Sequence, residues 1–346
     1  MPHNRTAPIT CKYSKSEQLY LILLCKPARK MQHTITTSAD GSSTLQLTEF
    51  EESYHSTNGA FTEAMHIYIQ AGVEHLFRKL LPPACINIFD VGFGTALNCI
   101  LLYAWQQQLR QAGLPYPKIH YYGIEKYPIQ PSEAQQLNYP TIIAQQLNLL
   151  PDNLAEIFRL MHNCPWEEDV LIPGVHTDFC SGNKSASICS TNGEICLLGN
   201  KRDSVCSTNG EICLSGNKSA SICSLGGGNR SERLYSGEDF ILHKCCADIG
   251  ALEGEYYREA CGKKGNRCSC DTATAVVFYD TFSPATQPHL WDEGIFRNIA
   301  AGCPTGSTLV TYCSKGTVKQ ALRNAGFTLE RLAGPPGKRH ILRGTL

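Results

Sequence analysis

No run in this sequence of 346 residues approaches the roughly 20 consecutive apolar residues that a helix needs to cross a bilayer. The longest apolar stretch near the start, 19–25, is short and lacks small residues at a plausible cleavage position, so it does not read as a secretory leader. The expectation is a cytoplasmic protein, without membrane association, whose thiols are reduced. Net charge is also missing: 31 Lys and Arg balance 31 Asp and Glu. A neutral surface excludes general, salt-driven coating of nucleic acid, though not a local basic patch. The chain also lacks the third glycine of a dinucleotide fingerprint. After Gly92 and Gly94 the required position is Leu97, which disfavours NAD or FAD. Finally, Cys261, Cys268 and Cys270 match no common zinc spacing, so no metal is expected.

Eighteen cysteines are nevertheless present, many of them in a repeat. SGNKSASICSTNGEICL (181–197) recurs as LGNKRDSVCSTNGEICL (198–214) and again, partially, as SGNKSASICS (215–224). Tandem duplication of a short stretch of gene accounts for such a pattern. The Asn-Gly pairs at 192–193 and 209–210 suit tight hairpin turns. Few apolar residues are available to offset the entropy of ordering, so the segment reads as a mobile polar insertion rather than a metal or redox array. The expected organisation is an extension or misassigned start over 1–30, with Met31 as a natural beginning. A first half of the main domain follows over 31–170, the insertion over 171–235 and the second half over 236–346.

Outside the insertion, strand and helix patterns alternate. Strands are expected at 86–91, 120–125, 240–246, 273–280, 308–313, 327–332 and 339–343, and helices at 95–110, 288–301 and 317–325. Alternation of this kind predicts an α/β fold with a mostly parallel seven-stranded sheet and helices on both faces. Ligands then bind at the carboxyl ends of the strands.

The chemistry-bearing residues fall at those strand ends. DVGFGTALN (90–98) places Gly92 and Gly94 in a strand-to-helix turn, where the helix N-terminus favours an anion. Glu125 ends the second strand and suits the two hydroxyls of a ribose; a solvated strand-end carboxylate is the plainer alternative. Asp248, after the third strand, suits an adenine amino group. Asp280 ends the fourth strand in YDTFSP, where a carboxylate can take the proton of an amine nucleophile. Phe282 and Tyr279 suit stacking on a base or flanking a sulfonium. From 311 to 346 there are seven Lys or Arg against one acid, Glu330, which suggests a localized phosphate contact; a solvated basic face accounts for the same charges.

The ordered motifs YHSTNGAFTEAMHIYI (54–69), DVGFGTALN, YYGIEKYP, YDTFSPATQPHLW (279–291), LVTYCSKGTVKQAL (309–322) and AGFTLERLAGPPGKRH (325–340) resemble the bacterial family that methylates 5-(aminomethyl)-2-thiouridine in tRNA. The resemblance covers 31–165 and 240–346. It implies a Rossmann-like class I methyltransferase dependent on S-adenosylmethionine, in a form without the fused flavin-dependent oxidase. The implied cofactor site comprises Asp90, Gly92, Gly94, Thr95, Asn98, Glu125 and Asp248, with Tyr54 and Glu63 lining the pocket. Asp280 and Phe282 are implied to face the transferred methyl, and Lys315, Lys338 and Arg339 to lie near the tRNA. An upstream wobble-modifying enzyme is the further partner implied. The chain departs from the family at Ala96, usually glycine, at Thr281, usually alanine, and in Cys-Cys-Ala before Asp248. A methyltransferase of another amine, and a catalytically weakened binding homologue, are the alternatives.

Overall fold

The computed structural model describes residues 33–47, 52–80, 84–174, 187–191, 194–198, 204–208, 211–215, 239–262 and 274–346. The expectations for 1–30, for Met31 as a start, for the two Asn-Gly pairs and for Cys268 and Cys270 lie outside these residues. The chain divides into two compact units, one formed by 1–174 with 237–346 and the other by 175–236.

The first unit begins with three antiparallel strands, β1 (His33–Thr37), β2 (Ser43–Leu47) and β3 (Glu52–Ser53). The turn between β1 and β2 caps the helix that follows, α1 (Ala60–Ala64). Gly59 precedes that helix and has no side chain to satisfy the first free amides. Three distant side chains accept them instead: Ser38 Oγ from Ala60 N, Ser42 Oγ from Phe61 N, and Asp40 Oδ2 from Thr62 N at 2.8 Å. The helix continues as a π-helix, Met65–Glu74, and ends in α2 (His75–Phe77). Ten residues of π-helix are unusual, and such geometry is frequent at functional sites. Ile67, Tyr68, Ile69 and Val73 in it are buried, Tyr68 lies against Phe278 of the main sheet with ring centroids 5.2 Å apart, and a Cβ at Gly72 would touch Val310 and Val276 at 3.1 and 3.2 Å.

That sheet contains β4 (Cys85–Val91), β5 (Lys118–Ile124), β6 (Asp169–Leu171), β11 (Phe240–Cys245), β12 (Thr274–Tyr279), β13 (Thr308–Thr311), β14 (Thr328–Ala333) and β15 (His340–Thr345). Their spatial order is β14-β15-β13-β12-β4-β5-β11-β6. The five central strands, β13 to β11, run parallel, while β15 and β6 are antiparallel to their neighbours. Every residue of β4 and β12 is buried, as expected of strands covered on both faces. One face carries α3 (Leu97–Gln111), α5 (Tyr139–Leu147) and α6 (Pro151–Asn163), with the short α4 (Pro131–Ala134) against α6. On the other face, α7 (Gly254–Ala260), α8 (Glu293–Gly302) and α9 (Gly316–Asn324) bury Tyr257, Phe296, Ile299 and Leu322 against Phe89 and Val277.

The α/β architecture with a mostly parallel sheet agrees with the sequence expectation, with one strand more than the seven anticipated. The addition, β6, has only three residues at the sheet edge, too few to show a period of two. In the second unit, β7 (Ser187–Thr191), β8 (Glu194–Leu198), β9 (Ser204–Thr208) and β10 (Glu211–Ser215) form an antiparallel sheet. Each repeat carries two short runs on either side of an Asn-Gly pair, and pairing them as a hairpin satisfies their backbone groups.

Asp40 ties the first hairpin to α1. Burial alone would raise its pKa, but hydrogen bonds from Ser42, Thr62 and Ser38 outweigh that and hold it at about 2. The Asp40→Ala protein is therefore expected to lose about 1–2 kcal/mol in urea unfolding at pH 7. Because the folded pKa is depressed, this contribution is present above pH 3.8 and should disappear as pH falls through about 2.

Candidate active site

In the sheet order, β5 and β11 lie on one side of β4 while β12 and β13 lie on the other. The chain thus reverses its direction of travel across the sheet between β4 and β12. In open α/β sheets a crevice forms at such a point, beyond the carboxyl ends of the strands. Two of the expected residues, Gly92 and Asp280, sit at its floor. Asp280 N donates to Val91 O at 3.0 Å, and the amides of Gly92 and Phe93 both donate to Ile124 O at 3.0 Å. Gly92 has φ +100°, and a Cβ there would lie 2.5 Å from the Asp280 carbonyl oxygen. Gly94, at φ +47°, passes under the Tyr54 ring, 3.1 Å from its Cδ1 for an added Cβ. Both positions need glycine, for space and for backbone conformation. Phe93 packs on Gly123 of β5 and anchors the turn from below.

Asn98, in the first turn of α3, donates from Nδ2 to Asp280 Oδ2 at 2.9 Å. Its Oδ1 is buried without a hydrogen-bond partner. Asp280 keeps a partly exposed edge, yet the protein packed around it pushes its pKa up to about 6; Glu63 adds to the rise, while Tyr68, Asn98 and Lys338 oppose it. Phe282 meets Tyr54 edge to face, ring centroids 5.2 Å apart. Its backbone is held by Trp291 Nε1, which donates to Phe282 O at 2.9 Å. Glu52 of β3 accepts from Ser283 N at 3.1 Å and from the Thr286 hydroxyl, so the first hairpin and the loop after β12 are fastened together. Glu63 Oε2 is 2.7 Å from Lys338 Nζ, in the turn between β14 and β15.

Glu125, at the end of β5, accepts from Gly94 N through Oε2 at 3.0 Å and from Tyr127 N through Oε1 at 2.8 Å. Burial raises its pKa against those bonds. Asp90 is fully buried beneath the turn and accepts from Tyr121 OH at 2.5 Å, so it supports the floor and presents no surface to a ligand. Thr95 is likewise buried and accepts from Tyr139 OH at 3.1 Å. Asp248 caps the turn at Ile249–Ala251 through Oδ1 and pairs with Lys126 Nζ through Oδ2 at 2.7 Å, so both its oxygens already have partners. Lys315 precedes α9, and both it and Arg339 are exposed.

Four residues of the site were not singled out in the sequence. Tyr68 lies against Asp280, and Tyr312 donates from its hydroxyl to Thr281 O at 2.8 Å. Glu52 makes the bridge described above. His55 is half-buried between Thr44, Thr95 and Tyr139, and the protein packed around it lowers its pKa to about 4, so it is neutral at pH 7. His55 and Tyr68 stand inside the 54–69 motif and Tyr312 inside 309–322, but nothing in their spacing distinguishes them from core residues. A cavity of about 180 Å³ adjoins the turn, lined by Phe93, Gly94, Ile129, His162, Trp166 and Lys244.

S-adenosylmethionine presents an ammonium, an adenine amino group and ribose hydroxyls as donors. Gly92 and Gly94 leave the turn without side chains, and Asn98 Oδ1 is an acceptor waiting for a donor. Each Glu125 oxygen accepts one bond and has capacity for a second. These features fit the group. Among the described residues, no cluster of three His, Cys, Asp or Glu is placed to hold a metal ion, and no helix is long and apolar enough to cross a membrane.

Ala96 adopts φ 60°, ψ 20° ahead of α3, a left-handed conformation that costs a side-chain-bearing residue roughly 1–2 kcal/mol. Glycine there removes the strain and adds about 0.4–1 kcal/mol of unfolded-state entropy. Ala96→Gly should therefore leave thermal stability unchanged or slightly raised. Gly92→Ala should lose about 2 kcal/mol or more, because its new Cβ meets backbone. Differential scanning calorimetry of the two variants checks the contrast.

A family model described as S-adenosyl-L-methionine-dependent methyltransferase matches residues 263–346. The tRNA 5-methylaminomethyl-2-thiouridine biosynthesis bifunctional protein MnmC of Stutzerimonas stutzeri is 24% identical over 306 residues, covering 87% of this chain and 33% of that protein. MnmC of Chromobacterium violaceum is 24% identical over 299 residues, 85% of this chain and 32% of that one. The chain thus spans about a third of the length of these relatives. The solved structure of MNMC2 from Aquifex aeolicus aligns over 96% of this chain and 78% of that one at 18% identity, with a TM-score of 0.48. The chain is thus similar along most of its length to about a third of the MnmC proteins, and over 263–346 it matches an S-adenosyl-L-methionine-dependent methyltransferase domain.

Proposed function

We propose that the chain transfers a methyl group from S-adenosylmethionine to the amine of 5-aminomethyl-2-thiouridine at the tRNA wobble position, giving 5-methylaminomethyl-2-thiouridine. The observation that carries this reading is the Asp280 carboxylate, set at the switch point of the sheet and aligned by Asn98 at 2.9 Å. The names of the relatives point to the same nucleoside. On this reading the domain is formed by 31–170 and 236–346, with the insertion between them, and works in the cytoplasm downstream of an enzyme that installs the aminomethyl group.

When bound, S-adenosylmethionine supplies an electrophilic methyl on a sulfonium. Glu125 would accept its ribose hydroxyls, and Gly92, Gly94 and Asn98 would line its amino acid end. Tyr54 and Phe282 form an aromatic wall that keeps water from the reacting nitrogen. An alkylammonium has no lone pair at neutral pH, so a proton must leave before nitrogen attacks carbon. Asp280 takes that proton; the nitrogen then forms its bond to the methyl carbon as the carbon–sulfur bond breaks. The raised pKa of Asp280, about 6, lies closer to that of the amine than an ordinary carboxylate does, which eases the transfer. Lys315 and Arg339 would meet phosphates of the RNA, and Lys338 would join them on leaving Glu63.

The sign of the pH dependence follows. Asp280 must be ionised to act, so single-turnover transfer should rise with pH up to about 6 and then level off. In the Asp280→Asn protein only the free amine reacts. Its rate should be lower by roughly 10²-fold or more at pH 7 and should keep climbing toward the amine's own pKa, on the order of 10. Methyl incorporation into tRNA bearing the aminomethyl nucleoside, followed by nucleoside mass spectrometry, measures both profiles. No transfer by the unaltered protein at any pH would overturn the assignment.

A further inference from the structure

One ammonium already sits at the crevice on a buried carboxylate, and it belongs to the chain itself. Lys338 stands in the six-residue turn, 334–339, that joins β14 to β15. This turn leans on the N-terminal segment: a Cβ at Gly337 would meet Asn58 Nδ2, and a ring nitrogen of His66 contacts Ala333 O at 2.8 Å. From there Lys338 Nζ reaches Glu63 Oε2 at 2.7 Å and stands 4.3 Å from the centroid of the Tyr312 ring. Glu63 is buried, and Lys338 is half-buried. Carboxylate on one side and aromatic face on another is the arrangement by which proteins hold cationic amines.

The cage is anchored to the machinery around it. Tyr312 is fixed by its hydroxyl bond to Thr281 O, one residue beyond Asp280. Asp280 responds to both charges, with Glu63 raising its pKa and Lys338 lowering it. Beside them lies the buried Asn98 Oδ1, an acceptor without a partner. A buried carboxylate left alone would be costly, and the lysine removes that cost while the site is empty of acceptor.

We propose that Lys338 is a resident stand-in for the acceptor: its ammonium occupies the subsite, formed by Glu63 and Tyr312, that takes the alkylammonium of the incoming nucleoside. The inference rests on the reading of the chain as an amine methyltransferase. Acceptor binding requires Lys338 to leave Glu63, and the polyanionic RNA backbone outside the crevice offers the departing ammonium a new partner. Lys338 is therefore a positioning and selectivity residue. It lets the cage stay charge-balanced without acceptor, and it makes entry of a bare amine, which brings no phosphates, unfavourable. Selection for RNA-borne amines over free ones follows from this exchange.

The test compares Lys338→Met, which keeps the aliphatic stem and removes the charge, with Lys338→Arg, which keeps the charge. Binding of free 5-aminomethyl-2-thiouridine is measured by calorimetry in the presence of S-adenosylhomocysteine, with the neutral 5-hydroxymethyl nucleoside as control. Lys338→Met should bind the aminomethyl nucleoside at least about tenfold tighter than the unaltered protein, with no gain for the hydroxymethyl control. Lys338→Arg should show little gain, and adding Glu63→Gln to Lys338→Met should abolish it. Equal or weaker binding by a folded Lys338→Met protein, or an equal gain for the neutral control, overturns the inference. Should Lys338→Met not fold, Lys338→Gln carries the same expectation. Methyl transfer to whole tRNA by the unaltered protein is assayed separately. Transfer with no gain in Lys338→Met defeats the stand-in alone. Absent transfer with a gain defeats the tRNA reading and leaves the ammonium cage in place.

Discussion

The crevice depends on how closely two backbones approach at the carboxyl ends of β4 and β12. These central strands are paired along their full length, and the pairing continues past the last register position through Asp280 N and Val91 O. Gly92 then turns across the Asp280 carbonyl with no space for a side chain. This contact sets the Asp280 side chain at the mouth of the sheet and starts α3 where Asn98 reaches that carboxylate. A shift of one strand against the other would separate the two residues on which the proposed chemistry depends.

A second layer of control comes from the segment before β4. The β1–β2 turn caps α1 with side chains, and Glu52 clamps β3 to the loop after β12. The same segment places Tyr54 over Gly94 and Glu63 near Asp280. The crevice is thus walled by residues far apart in the chain, and the aromatic contact of Tyr54 with Phe282 joins the two walls. Burial then has opposite consequences for neighbouring groups. Asp280 is raised into a range useful for proton transfer, while His55 is kept neutral and structural.

Charge inside the site is balanced within the protein. Lys338 pairs with Glu63, and Lys126 pairs with Asp248. Both lysines come from loops and lie over carboxylates. The basic C-terminal stretch, in a chain of zero net charge, is the source of one of these partners.

Much of the framework was legible from residue order alone. The mostly apolar run of β4, the glycines after it, and acids closing β5 and β12 sufficed for the alternating fold and for a crevice at those strand ends, because buried parallel strands and tight strand-to-helix turns constrain local composition. Ordered motifs extended this to Tyr54, Glu63 and Lys338. Three-dimensional packing decided the rest. It buried Asp90 under the turn, committed both oxygens of Asp248 to Lys126 and a helix cap, and paired the repeats into strands. It also brought Tyr68, Tyr312 and Glu52 to the crevice. Local sequence carries periodicity and turn chemistry, which specify elements one at a time. Partners for a carboxylate are chosen by whichever distant side chains the assembled sheet and its loops bring within hydrogen-bonding distance.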